Sequence, residues 1–340
     1  MTTARIGTAG GGQRALNGRA RHWRAALVAA GLVGAIAVGA ACARRMPKMP
    51  SMPSLPSIRR AAADSVWPEG MLDTIRRLAA VDSFTQPEAV RYDPDQDVYF
   101  VANFGIGDAR ADDNNGFISR MKPDGDIDNL RFIAGGASGA TLHAPRGMTI
   151  VGDTLWVADN NAVRGFDRHS GAPVATVDLS PLGPGFLNDI ASSATGALYV
   201  TDTPRNRVYR IVNRTATIAV DDSSLGNPNG ITFDQWNARF VIVPYDGRHT
   251  LFAWSEGNRL TPFAQDGGGR FDGIEILGPN ELLVASQADT SLHLFLSGQG
   301  RAVIRTSGRP ADIAVDTKRM RVAVPVIALN RVEIWQLPRP

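Results

Sequence analysis

The rhythm of apolar and polar positions changes three times along the chain. Residues 25–43 (AALVAAGLVGAIAVGAACA) are apolar and uncharged without a break. In residues 44–60 (RRMPKMPSMPSLPSIRR) proline recurs every third position, at Pro47, Pro50, Pro53 and Pro56. From residue 86 onward the apolar residues come in short runs: DVYFVAN, TLWVADN, ALYVTDT, ARFVIVP, ELLVASQ and MRVAVPV. Short runs with Gly, Pro, Asn or Asp between them predict strands. A doubly wound α/β fold is excluded, because no amphipathic helical stretch of about 10–15 residues separates them.

The strand-rich part is a repeat. Six starts read PEAVRYDP (87–94), PRGMTIVG (145–152), LNDIASSA (187–194), PNGITFDQ (228–235), FDGIEILG (271–278) and PADIAVDT (310–317). A unit of about 40 residues with three or four strands is the signature of a β-propeller. The expected fold is therefore all-β, a six-bladed β-propeller over residues 71–338. The first unit is long because of an insertion, GIGDARADDNNG at 105–116. The last unit has only three strands of its own, so a strand near 74–83 (TIRRLAAVDS) is expected to complete it. That pairing closes the ring and removes an open edge.

Composition sharpens the division. The 340 residues are 44% hydrophobic and 20% charged, enough for a large core, and the single cysteine permits no internal disulfide. Ten Lys/Arg and no Asp/Glu fall in residues 1–60. Residues 61–340 then hold 26 Lys/Arg against 33 Asp/Glu, a balance of −7 under a formal total of +3. The acidic body argues against a nucleic-acid partner. A basic stretch followed by the apolar run reads as an export signal or membrane anchor over 1–43. Small residues before Cys42 match a lipidated cysteine, with Gly39 where Leu is usual at the third position before it. Lipidation at Cys42, an uncleaved anchor and a cleaved signal all remain open. Residues 44–70 are a Pro/Met-rich linker in which the threefold proline period favours polyproline II. The folded body is expected outside the cytoplasm, in a bacterial periplasm or facing out from a membrane touched only by the N-terminal segment.

Aligning the six starts exposes one polar column, Glu88, Arg146, Asn188, Asn229 and Asp272, with Asp312 one place further on in the sixth start. The intervals are 58, 42, 41, 43 and 40 residues, the first lengthened by the insertion. In a propeller the innermost strand of each blade lines the channel, so this column forms a ring at its mouth. Glu88 and Asp272 offer carboxylates, Asn188 and Asn229 amide oxygens. Such a set of hard oxygens suits calcium, or another divalent metal, with positions left for water or substrate. No Cys, Met or His stands in the column, which disfavours soft metals. The competing reading is that these residues only cap strand starts around a wet channel.

On PEAVRYDPDQDVYFVANF, LNDIASSATGALYVTD, PNGITFD, FDGIEIL and ADIAVD, the chain resembles the SMP-30/gluconolactonase/LRE-like family of six-bladed calcium propellers, over about residues 75–338. The resemblance implies metal ligands at Glu88, Asn188, Asn229 and Asp272 and hydrolysis of a lactone or related ester, a small-molecule substrate. Two features depart from it. Ala89-Val90-Arg91 follows the first glutamate where Gly-Pro and Trp are frequent, and Arg146 stands where related lactonases carry a histidine.

If the chain is a hydrolase, Asp272 is the expected water-activating residue, with Asp189 and Asp312 as rivals. Arg146 and Asp312 are the expected substrate contacts. Tyr245 and His249 fall on the same rim, more simply read as a loop aromatic and a solvated histidine. Asn103, Asp159 and Asp202 end second strands and read as turn caps. No G-x-S-x-G, H-E-x-x-H, C-x-x-C or phosphate-loop motif occurs. TLWVADNNAVRGFD and ALYVTDTPRNRVYRI also resemble NHL repeats, so a non-catalytic platform for a glycan, peptide or protein is the alternative. The oligomeric state is not legible in the sequence.

Overall fold

The computed structural model describes residues 69–338. The expected signal or anchor at 1–43, Cys42 and nearly all of the 44–70 linker lie outside the described residues. The described residues form strands joined by turns and four short 3-10 segments, with no α-helix. No helix among them is long and apolar enough to cross a membrane.

Four-stranded antiparallel meanders repeat along the chain, over 87–134, 145–178 and 187–221. Two more, over 228–265 and 271–305, join into one eight-stranded sheet through a single parallel pair, Gln265 with Gln299. The last sheet takes Ala314–Asp316, Arg321–Val326 and Arg331–Gln336, and its fourth strand is Arg76–Val81 from the other end of the domain. Repeated four-stranded sheets of this kind are consistent with a β-propeller.

The apolar cores explain why the sheets stand face to face. Each cluster draws from two consecutive sheets. Phe100, Ile118 and Ile133 of the first pack with Met148, Leu155 and Phe166 of the second. Val90, Tyr99 and Val101 of the first also pack with Val332 and Ile334 of the last. The runs read from the sequence are buried on both faces because a sheet on each side covers them, as in Val98–Asn103, where every residue is buried. The fourth strands are mostly exposed, as in Thr215–Asp221. Each fully buried large side chain contributes on the order of 1.5–3 kcal/mol, so the cohesion lies between sheets.

The first strands of the sheets lie side by side around the centre. They are Pro87–Asp93, Pro145–Val151, Leu187–Ser192, Pro228–Asp234 and Phe271–Gly278. The last sheet reaches the first through a parallel bridge between Ala89 and Asp312, where Asp312 N donates to Glu88 O at 2.9 Å and Val90 N to Asp312 O at 3.1 Å. The first five strands share one irregularity. Their pairing register slips right after the opening residue, between Pro87 and Ala89, Pro145 and Met148, Leu187 and Ile190, Pro228 and Ile231, and Phe271 and Ile274. Glu88, Arg146, Asn188, Asn229 and Asp272 sit inside these slips. A bulge releases the residue from ladder bonding and re-aims its side chain, here toward the common centre.

Candidate metal and active site

Glu88, Asn188, Asn229, Asp272 and Asp312 come together with Arg146, and all six are buried. Close approach of neighbouring first strands makes this possible. A Cβ on Gly147 would lie 2.1 Å from Asp189 Oδ1, and one on Gly230 would lie 2.1 Å from Asp272 O. Only glycine fits beside a ring residue at such spacing.

The hydrogen bonding of the ring is incomplete in a patterned way. Glu88 Oε2, Asn229 Oδ1, Asp272 Oδ1 and Asp312 Oδ2 are buried with no partner among the described residues. Buried polar atoms are ordinarily satisfied, and leaving one bare costs about 1–3 kcal/mol. Four bare oxygens in one ring are a donor set that fits a cation. Asn188 agrees: its Nδ2 donates to Thr203 Oγ1 at 2.9 Å, leaving its oxygen for another partner. Among the described residues no group of three or more His, Cys, Asp or Glu side chains could hold a metal by itself. An ion here would need the amide oxygens as well as the carboxylates. Asp312, read from the sequence as a substrate contact, brings one of the four bare oxygens.

Charge points the same way. Burial raises Glu88 well above the usual carboxylate range, and the neighbouring Asp272 adds to it. Asp272 is pushed up to about 8 by burial and by Asp189, against the hydrogen bond from Gln287. Asp312 is raised by burial and Asp189, and Glu275 by burial despite Arg91. Two guanidiniums, Arg91 and Arg146, face this excess of carboxylates. Arg91 Nη1 is paired with Glu275 Oε1 at 2.8 Å, and its Nε donates to Met148 O at 2.7 Å. A divalent cation would remove much of the imbalance.

Asp189 differs from its neighbours. Its Oδ1 accepts from Ile190 N at 2.7 Å and its Oδ2 from Ile231 N at 2.7 Å. Both oxygens therefore brace bulged backbone in two adjacent sheets, although burial still raises it to about 6.

Arg146 is also engaged. Its Nη1 donates to Ala144 O at 3.0 Å and Asn160 Oδ1 at 3.1 Å, and its Nη2 to Ala109 O at 2.6 Å in the 105–116 insertion. Phe104 and Phe186 lie 5.0 and 4.8 Å from its guanidinium carbon. Asn160 Nδ2 holds the same loop through Ala111 O at 3.2 Å and Asp112 Oδ1 at 2.7 Å. His143 accepts from Asn114 N at 3.0 Å through Nδ1. The insertion is thereby folded down beside the ring.

Tyr245 apart, one column escaped the sequence reading. The residue after the second strand supports the ring in the first five meanders: Phe104, Asn160, Thr203, Tyr245 and Gln287. Phe104 and Asn160 touch Arg146 and Thr203 holds Asn188. Gln287 Nε2 donates to Asp272 Oδ2 at 2.6 Å, and Tyr245 Oη donates to Gln287 Oε1 at 2.8 Å. Its signal in the sequence is positional, one step beyond VAN, VAD, VTD, IVP and VAS. His249 Nδ1 sits against Gly268 O in the nearby loop. The strand-end caps behave as caps. Asn103 Oδ1 accepts from Thr85 N at 3.0 Å, Asp159 Oδ1 from Ala144 N at 2.8 Å and Asp202 Oδ2 from Gly185 N at 3.0 Å. Each ties down the loop that leads into a first strand.

Two other clusters look chemical and are structural. His293 lies between Asp266 and Asp289, with Ser291 Oγ 2.9 Å from its Nε2. His293 is buried at a blade position where other sheets place Asp159–Arg164 and Asp202–Tyr209 pairs. A surface cavity of about 600 Å³ is lined by Asp97, Arg120, Lys122 and Arg319. It lies at the opposite ends of the strands, and Arg120 and Arg319 are already paired with Asp128 and Asp97.

The same fold occurs in known propeller proteins. A gluconolactonase from Xanthomonas campestris is similar at a TM-score of 0.59 and 18% identity, over 78% of this chain and 89% of that one. A virginiamycin B lyase from Staphylococcus aureus is similar at 0.57 and 14%, over 77% of this chain and 99% of that one. A luciferin-regenerating enzyme is similar at 0.57 and 11%, over 77% and 94%. No family model matches the chain, and no curated protein matches it. At these identities the likeness carries the fold, and the chemistry rests on the ring itself.

Proposed function

We propose that this chain is a six-bladed propeller hydrolase that opens a lactone or related ester at a calcium ion held by Glu88, Asn188, Asn229 and Asp272. The observation that carries the reading is the set of bare buried oxygens on Glu88, Asn229, Asp272 and Asp312. Likeness of fold to a gluconolactonase is in keeping with it. When bound, the ion supplies positive charge that polarises the substrate carbonyl and offsets the negative charge developing on its oxygen.

The protein's own residues do the rest. Asp272 takes the proton from the attacking water at Oδ1. A carboxylate oxygen has two lone-pair sites, so one oxygen can serve both an ion and a water. Gln287 holds Oδ2, which fixes the direction of the free oxygen. The water oxygen bonds to the carbonyl carbon, the ring C–O bond breaks, and the released alkoxide takes the proton that Asp272 Oδ1 had accepted, which returns the carboxylate. Asp312 Oδ2 accepts a substrate hydroxyl. Arg146 serves by holding the 105–116 loop beside the mouth, because both its Nη atoms are on protein acceptors. We place the domain outside the cytoplasm, carried there by residues 1–43, with the membrane touched by that segment alone. Fractionation of cells expressing the full chain and its Cys42→Ala variant tests this, and a wholly cytoplasmic full chain would refute it.

The function is tested by metal analysis of the purified protein together with lactone hydrolysis followed in a pH-stat. About one bound calcium and hydrolysis lost on chelation are expected, with Asp272→Asn inactive and folded. A metal-free, inactive protein whose surface still captures a glycan or peptide would make it the binding platform instead.

A further inference from the structure

The mouth of the channel has two unlike lips. On one side the 105–116 loop carries Asp108, Asp112 and Asp113, each exposed. Their oxygens serve local structure, accepting from Arg110 N, Asn160 Nδ2 and Asn115 N. On the other side stand Arg270 and Arg309. Arg270 lies two residues before Asp272, and Arg309 three before Asp312, on loops that lead into the ring. Both are exposed, and neither has a carboxylate partner among the described residues. Among other acids of these loops, Asp246 is paired with Arg248, and Asp266 and Asp289 with His293.

Contacts tie Arg270 to the machinery of the ring. Its guanidinium carbon lies 5.9 Å from the ring centroid of Tyr245, whose hydroxyl reaches Asp272 through Gln287. The charges of Arg270 and Arg309 are both felt at that phenol, opposing burial and Asp272. Arg270 also holds φ at +46°, as Gln86 (+52°) and Asn227 (+59°) do immediately before other first strands. Its carbonyl accepts from Gln287 N at 3.1 Å, which ties this backbone to the residue that orients Asp272.

Resting on the hydrolase reading, we infer that Arg270 and Arg309 receive an anionic group of the substrate, which is therefore a lactone or ester bearing a carboxylate or phosphate away from the bond that breaks. The acidic floor of the channel takes the cation and the basic lip takes the anion. A neutral sugar lactone satisfies only the first.

The test uses the full chain loaded with calcium. It compares kcat/KM for glucarolactone, which bears a carboxylate, and 6-phosphogluconolactone with that for neutral gluconolactone. At least one anionic lactone should be preferred about tenfold or more, and the preference should shrink in about 0.3 M salt as charges are screened. Which one is preferred tells a carboxylate from a phosphate. Arg270→Gly relieves the left-handed φ, so its Tm should not fall, yet it should cut the preference at least about threefold. Arg309→Met should cut it likewise. A preference below about tenfold for both anionic lactones, or one unchanged in the two variants, overturns the inference. If no lactone is hydrolysed, the hydrolase reading fails by itself. Calorimetry with glucarate and 6-phosphogluconate on the calcium-loaded protein then decides the rim. Binding weakened about tenfold by Arg270→Gly supports it, and no binding to wild type overturns it.

Discussion

Gln287 Nε2 donates to Asp272 Oδ2 at 2.6 Å, and that bond leaves Asp272 Oδ1 the buried oxygen with no partner. A carboxylate held at one oxygen presents the other in a fixed direction. Groups that orient metal ligands typically carry 10–100-fold in affinity or activity. Gln287→Leu should therefore weaken calcium binding and hydrolysis by about 10–100-fold while the protein stays folded. Tyr245→Phe, one link further out, should cost less. Calcium titration by calorimetry checks both, and unchanged affinity in Gln287→Leu would show that Asp272 needs no such support.

Calcium should stabilise the fold and Asp272→Asn should abolish the effect. A ligand at 100 times its Kd adds about 2.7 kcal/mol, which is several degrees of Tm in a domain of this size. The variant also removes a buried carboxylate whose ionisation burial opposes, so without calcium it should melt no lower than wild type. Melts of both proteins, with calcium and with chelator, give the comparison. A full calcium shift in Asp272→Asn would move the ion elsewhere.

The same carboxylates set a pH dependence. Asp272 is raised to about 8 and Asp189 to about 6, with Glu88 and Asp312 raised too, all chiefly by burial. The folded protein thus binds more protons than the unfolded chain between about pH 4 and these values. Their contribution to stability is complete below about pH 4 and is lost as pH rises through 6 to 8. Asp93 and Asp289 are shifted down and work the other way, losing their contribution only as pH falls below about 4. Metal-stripped protein should then be less stable at pH 8.5 than at pH 5.5. Calcium should reverse that trend, since an ion and protons compete for the same oxygens. A stripped protein whose Tm climbs from pH 5.5 to 8.5 would contradict the charge assignment.

Much of this was open to reading because the repeat writes it out. Six strand starts align, and a column that is polar in five of them, with Asp312 one place further on in the sixth, needs one explanation. Glu88, Asn188, Asn229 and Asp272 were visible in that column, and the pairing of Arg76–Val81 with Arg331–Gln336 follows from the missing fourth strand. The support was harder to see. Phe104, Asn160, Thr203, Tyr245 and Gln287 share a position but no residue type, because each answers a different ring partner. The bare oxygens were beyond the sequence altogether: Asp189 and Asp312 look alike in the chain, and only geometry gives one two backbone donors and the other a free Oδ2.

Arg146 reads in the sequence as a fork for substrate, and its bonds make it the fastening of a loop. Its Nη atoms hold Ala109 O and Asn160 Oδ1, and Asn160 in turn holds Ala111 O. Arg146→Met keeps the apolar stem between Phe104 and Phe186 and removes the charged donors. Hydrogen bonds from a charged group are worth about 1.5–3 kcal/mol each, so the loop should open while the sheets remain intact. Trypsin should then cut after Arg110, an exposed residue within that loop, many times faster than in wild type. The buried positive charge also offsets part of the carboxylate excess at Glu88. Its loss should raise calcium affinity modestly even as the loop loosens. Cleavage rate and calcium affinity that both stay at wild-type values would leave Arg146 without the fastening role. A substrate clamp would instead raise KM and leave the loop as protected as before.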